Sequence, residues 1–271
     1  MKDSTATADA SLMSNRALST AATYNGSQNN ILTIARREFR SYFDSLVAYV
    51  VIGGSLFGLG LYFFLLQGGF WQVDRVTMAR MFSALPVTLA VLVLPLVTMR
   101  SLAEEKRAGT IELLITLPVT DAEVILGKYI AALAMVLILL AATLAYPLAM
   151  FVWPWHMGAL DWGPVWAGYF GLLLYSAAGT AVGMLFSSLT ESQIIAFFMT
   201  FLTLAILHLL GVFVEFLPGV LGDAISFISF AARYAPFERG LIDTRAVVYF
   251  VSVAVICLLF AFRSLESRKW S

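Results

Sequence analysis

Charge is what this sequence has least of. Only 13% of its 271 residues are Asp, Glu, Lys or Arg, against 60% apolar ones, whereas soluble domains carry about a quarter charged residues. So few charges cannot clothe a water-soluble surface, and a mean hydropathy of +0.86 leaves apolar surface to face lipid. A net charge of zero removes the electrostatic footprint of nucleic-acid binding. One cysteine, Cys257, rules out an intrachain disulfide. The two histidines, His156 and His208, cannot form a His-Glu-x-x-His zinc motif. The phosphate-cradling pattern Gly-x-x-x-x-Gly-Lys-[Ser/Thr] is missing too: Gly127-Lys128 runs into Tyr129 without the upstream glycine. ATP chemistry would therefore have to come from another chain, and no catalytic, cofactor-binding or metal-ligating set is expected. Residues 1–29 lack any apolar block, so they read as a disordered tail without a secretory h-region. Membrane insertion is then expected to depend on the first membrane helix.

What is present is a series of long apolar runs. Residues 47–66, 81–99, 129–153, 162–187 and 193–214 each approach the ~20 residues that cross the hydrocarbon core as a helix. A shorter run covers 246–262. Continuous apolarity without alternation argues against barrel strands, and a helix satisfies its own backbone within lipid. The expected fold is an all-α integral membrane protein of six transmembrane helices, formed by residues 30–271 as one unit. Residues 216–232 are apolar but interrupted by Pro218, Gly219, Gly222 and Asp223, so a re-entrant outer hairpin is expected before the last span. Pro86, Pro95 and Pro147 are expected to kink spans two and three. Gly54/Gly58 and Gly179/Gly183 have the spacing that lets helices approach closely.

Orientation follows from the basic residues. With both termini inside, the inner side holds Lys2, Arg16, Arg36, Arg37, Arg40, Arg100, Lys106, Arg107, Lys128, Arg263, Arg268 and Lys269. The outer side holds only Arg75, Arg80, Arg233, Arg239 and Arg245. The positive-inside rule favours cytoplasmic termini. Trp153, Trp155, Trp162 and Trp166 then fall at the outer boundary, where an aromatic belt belongs.

Residues 31–46 form an amphipathic pattern. Ile31, Leu32, Ala35, Phe39, Tyr42, Phe43 and Leu46 share one face, and Arg36, Arg37, Arg40, Ser41 and Asp44 the other. Such a helix suits the cytoplasmic interface, as an orientation anchor or as an elbow that contacts a partner. Residues 100–128 carry a charge cluster at 104–107, a helix-breaking Gly109, a short helix expected over 110–117 and a capping box at Thr120 and Glu123. Exposed Ile111, Leu113, Leu114 and Ile115 suit either docking to a partner or packing on the protein's own helix ends. A second capping box is expected at Thr190–Gln193. His208 and, near a span end, Glu215 are ionisable groups in apolar surroundings; a hydrogen bond from His208 to a neighbouring helix is the simplest reading. Ser55 and His208, on different spans, are the pair from which an intramembrane hydrolase would draw a dyad.

The stretch Glu-Glu-Lys-Arg-Ala-Gly-Thr-Ile-Glu-Leu-Leu at 104–114 resembles the cytoplasmic signature of ABC-2-type ABC transporter permeases, Glu-x-x-x-Gly-Thr-x-Glu-x-Leu. The likeness continues through Leu117-Pro118-Val119 and Leu126-Gly127-Lys128. Residues 187–193 and 237–243 resemble the gliding-motility-associated branch. The resemblance implies six spans, an N-terminal interfacial helix, a coupling helix between spans two and three, and re-entrant helices before span six. It also implies assembly with a cytoplasmic ABC ATPase subunit and a second permease, identical or related, in the inner membrane, with ATP bound only by the partner. Glu104, Glu105, Gly109, Thr110, Glu112 and Leu113 are the positions it marks for ATPase coupling. The function expected is ATP-driven export or force transmission. The alternatives are a secondary transporter, which should show midplane charges and an internal repeat, and a membrane scaffold without an energy cycle.

Overall fold

The computed structural model describes residues 30–65, 78–109, 120–151, 161–214 and 219–266, and no strand occurs among them. Helix α1 covers residues 30–44. It is followed by α2 (Leu46–Phe64), α3 (Ala79–Thr88), a π-helical turn (Leu89–Val93), α4 (Leu94–Thr98) and α5 (Ala103–Arg107). Then come α6 (Asp121–Thr143), α7 (Ala145–Phe151), α8 (Trp162–Leu189), α9 (Gln193–Phe213), α10 (Val220–Ile228), α11 (Phe230–Glu238) and α12 (Thr244–Glu266). Six stretches among the described residues are long and apolar enough to cross a membrane: Leu46–Phe63, Arg80–Arg107, Asp121–Leu148, Trp162–Leu189, Gln193–Phe213 and Thr244–Glu266. The chain is an all-α, multi-pass membrane protein.

Span four (α8) is the hub. It packs along α12 and touches α6, α9, α11 and α4. The apolar stretch of span four is 72% buried, whereas those of spans one, five and six are 28%, 17% and 22% buried. Small residues make the hub possible. A Cβ on Gly179 would lie 2.5 Å from Leu94, and one on Gly183 would collide with Thr98. The other glycine pair behaves differently: Gly54 and Gly58 have nothing within 4 Å among the described residues, so they pack against no described helix. Spacing alone cannot say which face of a helix meets a neighbour.

The prolines act locally. Pro95 has no N–H to offer the Val91 carbonyl, and the turn just before it widens to i→i+5, with Leu94 N–H bonding Leu89. In span three, the helix breaks at Leu144, three residues before Pro147. That span also starts earlier than its apolar run. Thr120 Oγ1 accepts from the Glu123 N–H at 3.3 Å, and Glu123 Oε2 accepts from the Thr120 N–H at 2.8 Å, so the capping box starts the helix at Asp121.

The expected box at Thr190–Gln193 is corrected. The N-cap of span five is Ser192, whose Oγ accepts from the Ile195 N–H, while Thr190 Oγ1 accepts from the Ser192 N–H. Either hydroxyl suits a cap, and Thr190 is used for the turn that leads into it. The outer hairpin is also longer than expected. It comprises α10 and α11, broken at an extended Ser229 that caps α11 through the Ala232 N–H, and it ends at Glu238 because Tyr234 and Phe237 are buried. Residues 215–218, with Glu215, lie outside the described residues.

Candidate functional site

The two ends of the bundle differ in chemistry. The basic end carries α1 with Arg36, the end of span two with Arg100 and Lys106, the start of span three with Lys128 and the end of span six with Arg263. Helix α1 ends where Ser45 bends the chain and caps α2, its Oγ accepting from the Val47 N–H at 3.3 Å. Ala35 is buried, Ile34 rests on Gly127 of α6, and the Tyr42 hydroxyl donates to the Val97 carbonyl at 3.1 Å. Burial pushes the Tyr42 phenol up to about 12. Arg36, Arg37 and Arg40 point outward, as the amphipathic pattern requires. Leu32 and Leu46, assigned to the apolar face, stay exposed at 64% and 76%. That face is wider than the strip of protein it covers.

The centre of this end is Lys128. It lies two turns into α6 with 4% of its side chain exposed, 3.1 Å from Glu38 of α1 and 2.7 Å from Glu105 of α5. A cation buried this far needs paired anions, and here they come from two different elements. Arg100, at the start of the same segment, donates to Glu104 at 3.1 Å and to Ser45 Oγ at 3.0 Å. One segment is thereby joined to α1, to the start of span one and to span three.

The segment is joined to span four as well. Ser187 Oγ, at the end of α8, accepts from the backbone N–H groups of both Leu102 and Ala103 at 3.0 Å. Helix α5 starts there without a side-chain cap of its own, so α8 satisfies two of its orphan donors. Buried Lys106 donates to the Ser188 carbonyl, and Ser264 of span six donates to the same oxygen at 3.1 Å. Helix α5 ends at Gly109, whose φ of +68° is the left-handed conformation that glycine adopts without strain.

A family model described as ABC-2 family transporter protein matches residues 73–263, more than half of the chain. The chain belongs to the ABC-2 transporter family. No curated protein matches it. ABC-2 proteins are the membrane components of ABC transporters.

In this ABC-2 chain, three of the positions marked for coupling are described. Glu104 is exposed and paired with Arg100, Glu105 is paired with Lys128, and Gly109 ends α5. Thr110, Glu112, Leu113 and the short helix expected over 110–117 lie outside the described residues. Glu38 and Ser264 were not singled out from the sequence, and Ser187 and Ser188 only as part of the 187–193 motif, without their partners. The signal for Lys128 was available, since a lysine flanked by buried Val124, Ile125, Ala131 and Ala132 requires a counter-ion.

His208 is not part of a Ser55 dyad. Its Nδ1 lies 3.3 Å from the Tyr175 hydroxyl of span four, and Ser55 Oγ has no hydrogen-bond partner among the described residues. The opposite end is aromatic. Tyr175, Phe230 and Phe250 are buried with ring centroids 5.2–6.0 Å apart, and Tyr249 closes the cluster against Phe230. Trp162 and Trp166 are exposed at that end, 6.5 Å apart, and Trp153 and Trp155 lie outside the described residues.

Proposed function

We propose that this chain is the membrane-spanning permease subunit of an ATP-binding cassette transporter, in which residues 100–128 receive the motion of a separate ATPase and pass it to the spans. The observation that carries this is the Glu38–Lys128–Glu105 clamp. An element that is to move spans together must be fastened to several of them, and the 100–109 segment is fastened to α1, span three, span four and, through the Ser188 carbonyl, span six. A push on that segment is then spread across the bundle instead of being absorbed in a loop. For the push to drive a cycle, the ATPase must hold the segment differently in its ATP-bound and ATP-free states.

The rest of the reading follows from the family. Two permeases, identical or related, work with two ATPases. Both termini are cytoplasmic in an inner membrane, and ATP is bound only by the partner. The output is export, or force passed to the outer hairpin α10–α11. Membership of the gliding-motility-associated branch rests on the motifs at 187–193 and 237–243 alone.

The test is co-expression with ATPases that carry the Walker motif, followed by purification in detergent. Wild type is expected to retain one ATPase and to stimulate its hydrolysis. Glu112→Arg is expected to lose the complex, because a reversed charge at a desolvated contact weakens docking. Lys128→Met is expected to keep the complex but lose the stimulation. If no ATPase is retained by wild type, the transporter reading fails.

A further inference from the structure

Between α1, the start of α2 and the end of α4 lies a cleft of about 250 Å³. Its floor is apolar: Val47, Ala48, Val51, Leu96, Val97 and Met135. The rest of its lining is charged: Arg37 and Glu104 are exposed, Arg100, Glu38 and Glu105 half-buried and Lys128 buried beneath them, together with the hydroxyls of Ser41, Tyr42, Ser45 and Ser101. The floor is built from the first two turns of span one, so the cleft changes from charged to apolar at the depth where that span begins. Among the described residues Arg37 makes no ion pair, although it stands on the wall.

We infer that this cleft holds the headgroup of a zwitterionic ammonium phospholipid, with its phosphate on Arg37 and its ammonium toward Glu38, whose one cation among the described residues, Lys128, is shared with Glu105. Three features select this ligand. The polarity gradient matches that of a phospholipid from headgroup to first methylenes, and a soluble anion would leave the apolar floor unfilled. Two cations, Arg100 and Lys128, serve three carboxylates, so one negative charge is left over beside the unpaired Arg37, and a group that carries both signs matches what remains. Arg37 is an outward guanidinium, whose fork suits two phosphate oxygens. The inference rests on the reading of α1 as an interfacial helix, because only there does the mouth of the cleft meet headgroups. Its consequence is that a lipid sits beside the Arg100–Glu104 and Lys128–Glu38 pairs, so headgroup composition sets how tightly α1 holds the coupling segment.

The full-length protein is purified in detergent doped with equal amounts of phosphatidylethanolamine and phosphatidylglycerol of identical chains, and retained lipid is read by native mass spectrometry. Wild type is expected to retain one ethanolamine lipid in preference to the glycerol lipid. Arg37→Ala removes a charged contact, and Ser41→Trp fills the mouth from an exposed position. Each is expected to lower retention about tenfold, the size of one charge-assisted hydrogen bond. Both variants change exposed residues, and an unchanged elution volume reports that they fold. Glycerophosphoethanolamine and inorganic phosphate are added as competitors: a headgroup site is emptied only by the first. Equal retention of the two lipids, preference for the glycerol lipid, displacement by phosphate, or retention unchanged in both variants overturns the inference. A wild type that retains an ATPase but no lipid overturns it and leaves the transporter reading standing, whereas lipid retained without an ATPase does the reverse.

Discussion

At the basic end, Lys128 sits almost fully buried between two carboxylates from different helices, and the Ser187 hydroxyl ties the end of span four to the start of α5. Toward the opposite end, fully buried Tyr175 of mid-span four sits among the rings of Phe230, Tyr234 and Phe250, and the outer hairpin is held by ring packing with hydrogen bonds from Tyr234 to the Gly168 carbonyl and from Tyr249 to the Ile228 carbonyl. The two kinds of contact respond differently to displacement. An ion pair acts over several ångströms and can re-form in a second position; ring packing falls away once a gap opens. If residues 100–128 take up the motion of an ATPase, as proposed, the difference suits them, because ion pairs can change partners where ring packing cannot.

The largest effect is expected from breaking the charged end. Lys128→Met leaves Glu38 and Glu105 facing each other without their cation. The side chains of the two carboxylates are 26% and 24% exposed, so the cost is expected near the low end for a broken buried pair, about 3 kcal/mol. A thermal midpoint measured in detergent checks it. Glu38→Gln should cost clearly less, because Glu105 still neutralises the lysine; equal losses in the two variants would show that Lys128 does not bridge.

Next comes the aromatic end. Phe230→Ala removes a fully buried ring that touches Tyr175, Tyr249 and Phe250. Lipid is as apolar as the protein interior, so only the packing part of the usual penalty applies, about 2 kcal/mol. The comparison sharpens in the readout. Phe230→Ala should lower the midpoint while ATPase stimulation per folded complex is kept; Lys128→Met should abolish stimulation even well below its midpoint. A Phe230→Ala variant that loses stimulation while folded would mean that the outer hairpin takes part in coupling.

Tyr175→Phe is a finer probe. It removes the hydroxyl that meets His208 Nδ1 at 3.3 Å and keeps the ring. The expected loss is about 1 kcal/mol, the net worth of one hydrogen bond, and it should be unaffected by added salt. If the variant is as destabilised as Phe230→Ala, polar contacts and not ring packing hold that end.

How much of this was legible in the sequence depended on distance along the chain. The six spans, the break at Gly109 and the Thr120–Glu123 box are local patterns, and each is found in the folded chain. Contacts between distant segments were not legible. Glu38 meets Lys128 across 90 positions, and Ser187 meets Leu102 across 85; nothing in either neighbourhood names the other. Face assignment failed in the same way. Gly54/Gly58 and Gly179/Gly183 have equal spacing, yet one pair is open and the other is packed. Thr190 and Ser192 are both good caps two residues apart, and Ser192 is the one that caps α9.

The smallest expected effect separates the two ends by pH. Glu238 closes α11 at the aromatic end, and burial holds its carboxyl above the usual glutamate range, with Arg239 offsetting this only in part. The folded state therefore keeps the proton to higher pH than the unfolded chain does. Stability is then greatest below the ordinary glutamate pKa and falls as pH rises toward the raised one, because in that window the folded state binds more protons. Thermal midpoints of wild type should decline across that window, and Glu238→Gln should flatten this decline. Ser187→Ala, whose lesion lies at the other end and removes no charge, should shift the whole curve down and keep its slope. If Ser187→Ala instead removes the slope, the two ends are coupled at rest, and the division between a charged end and an aromatic one does not hold.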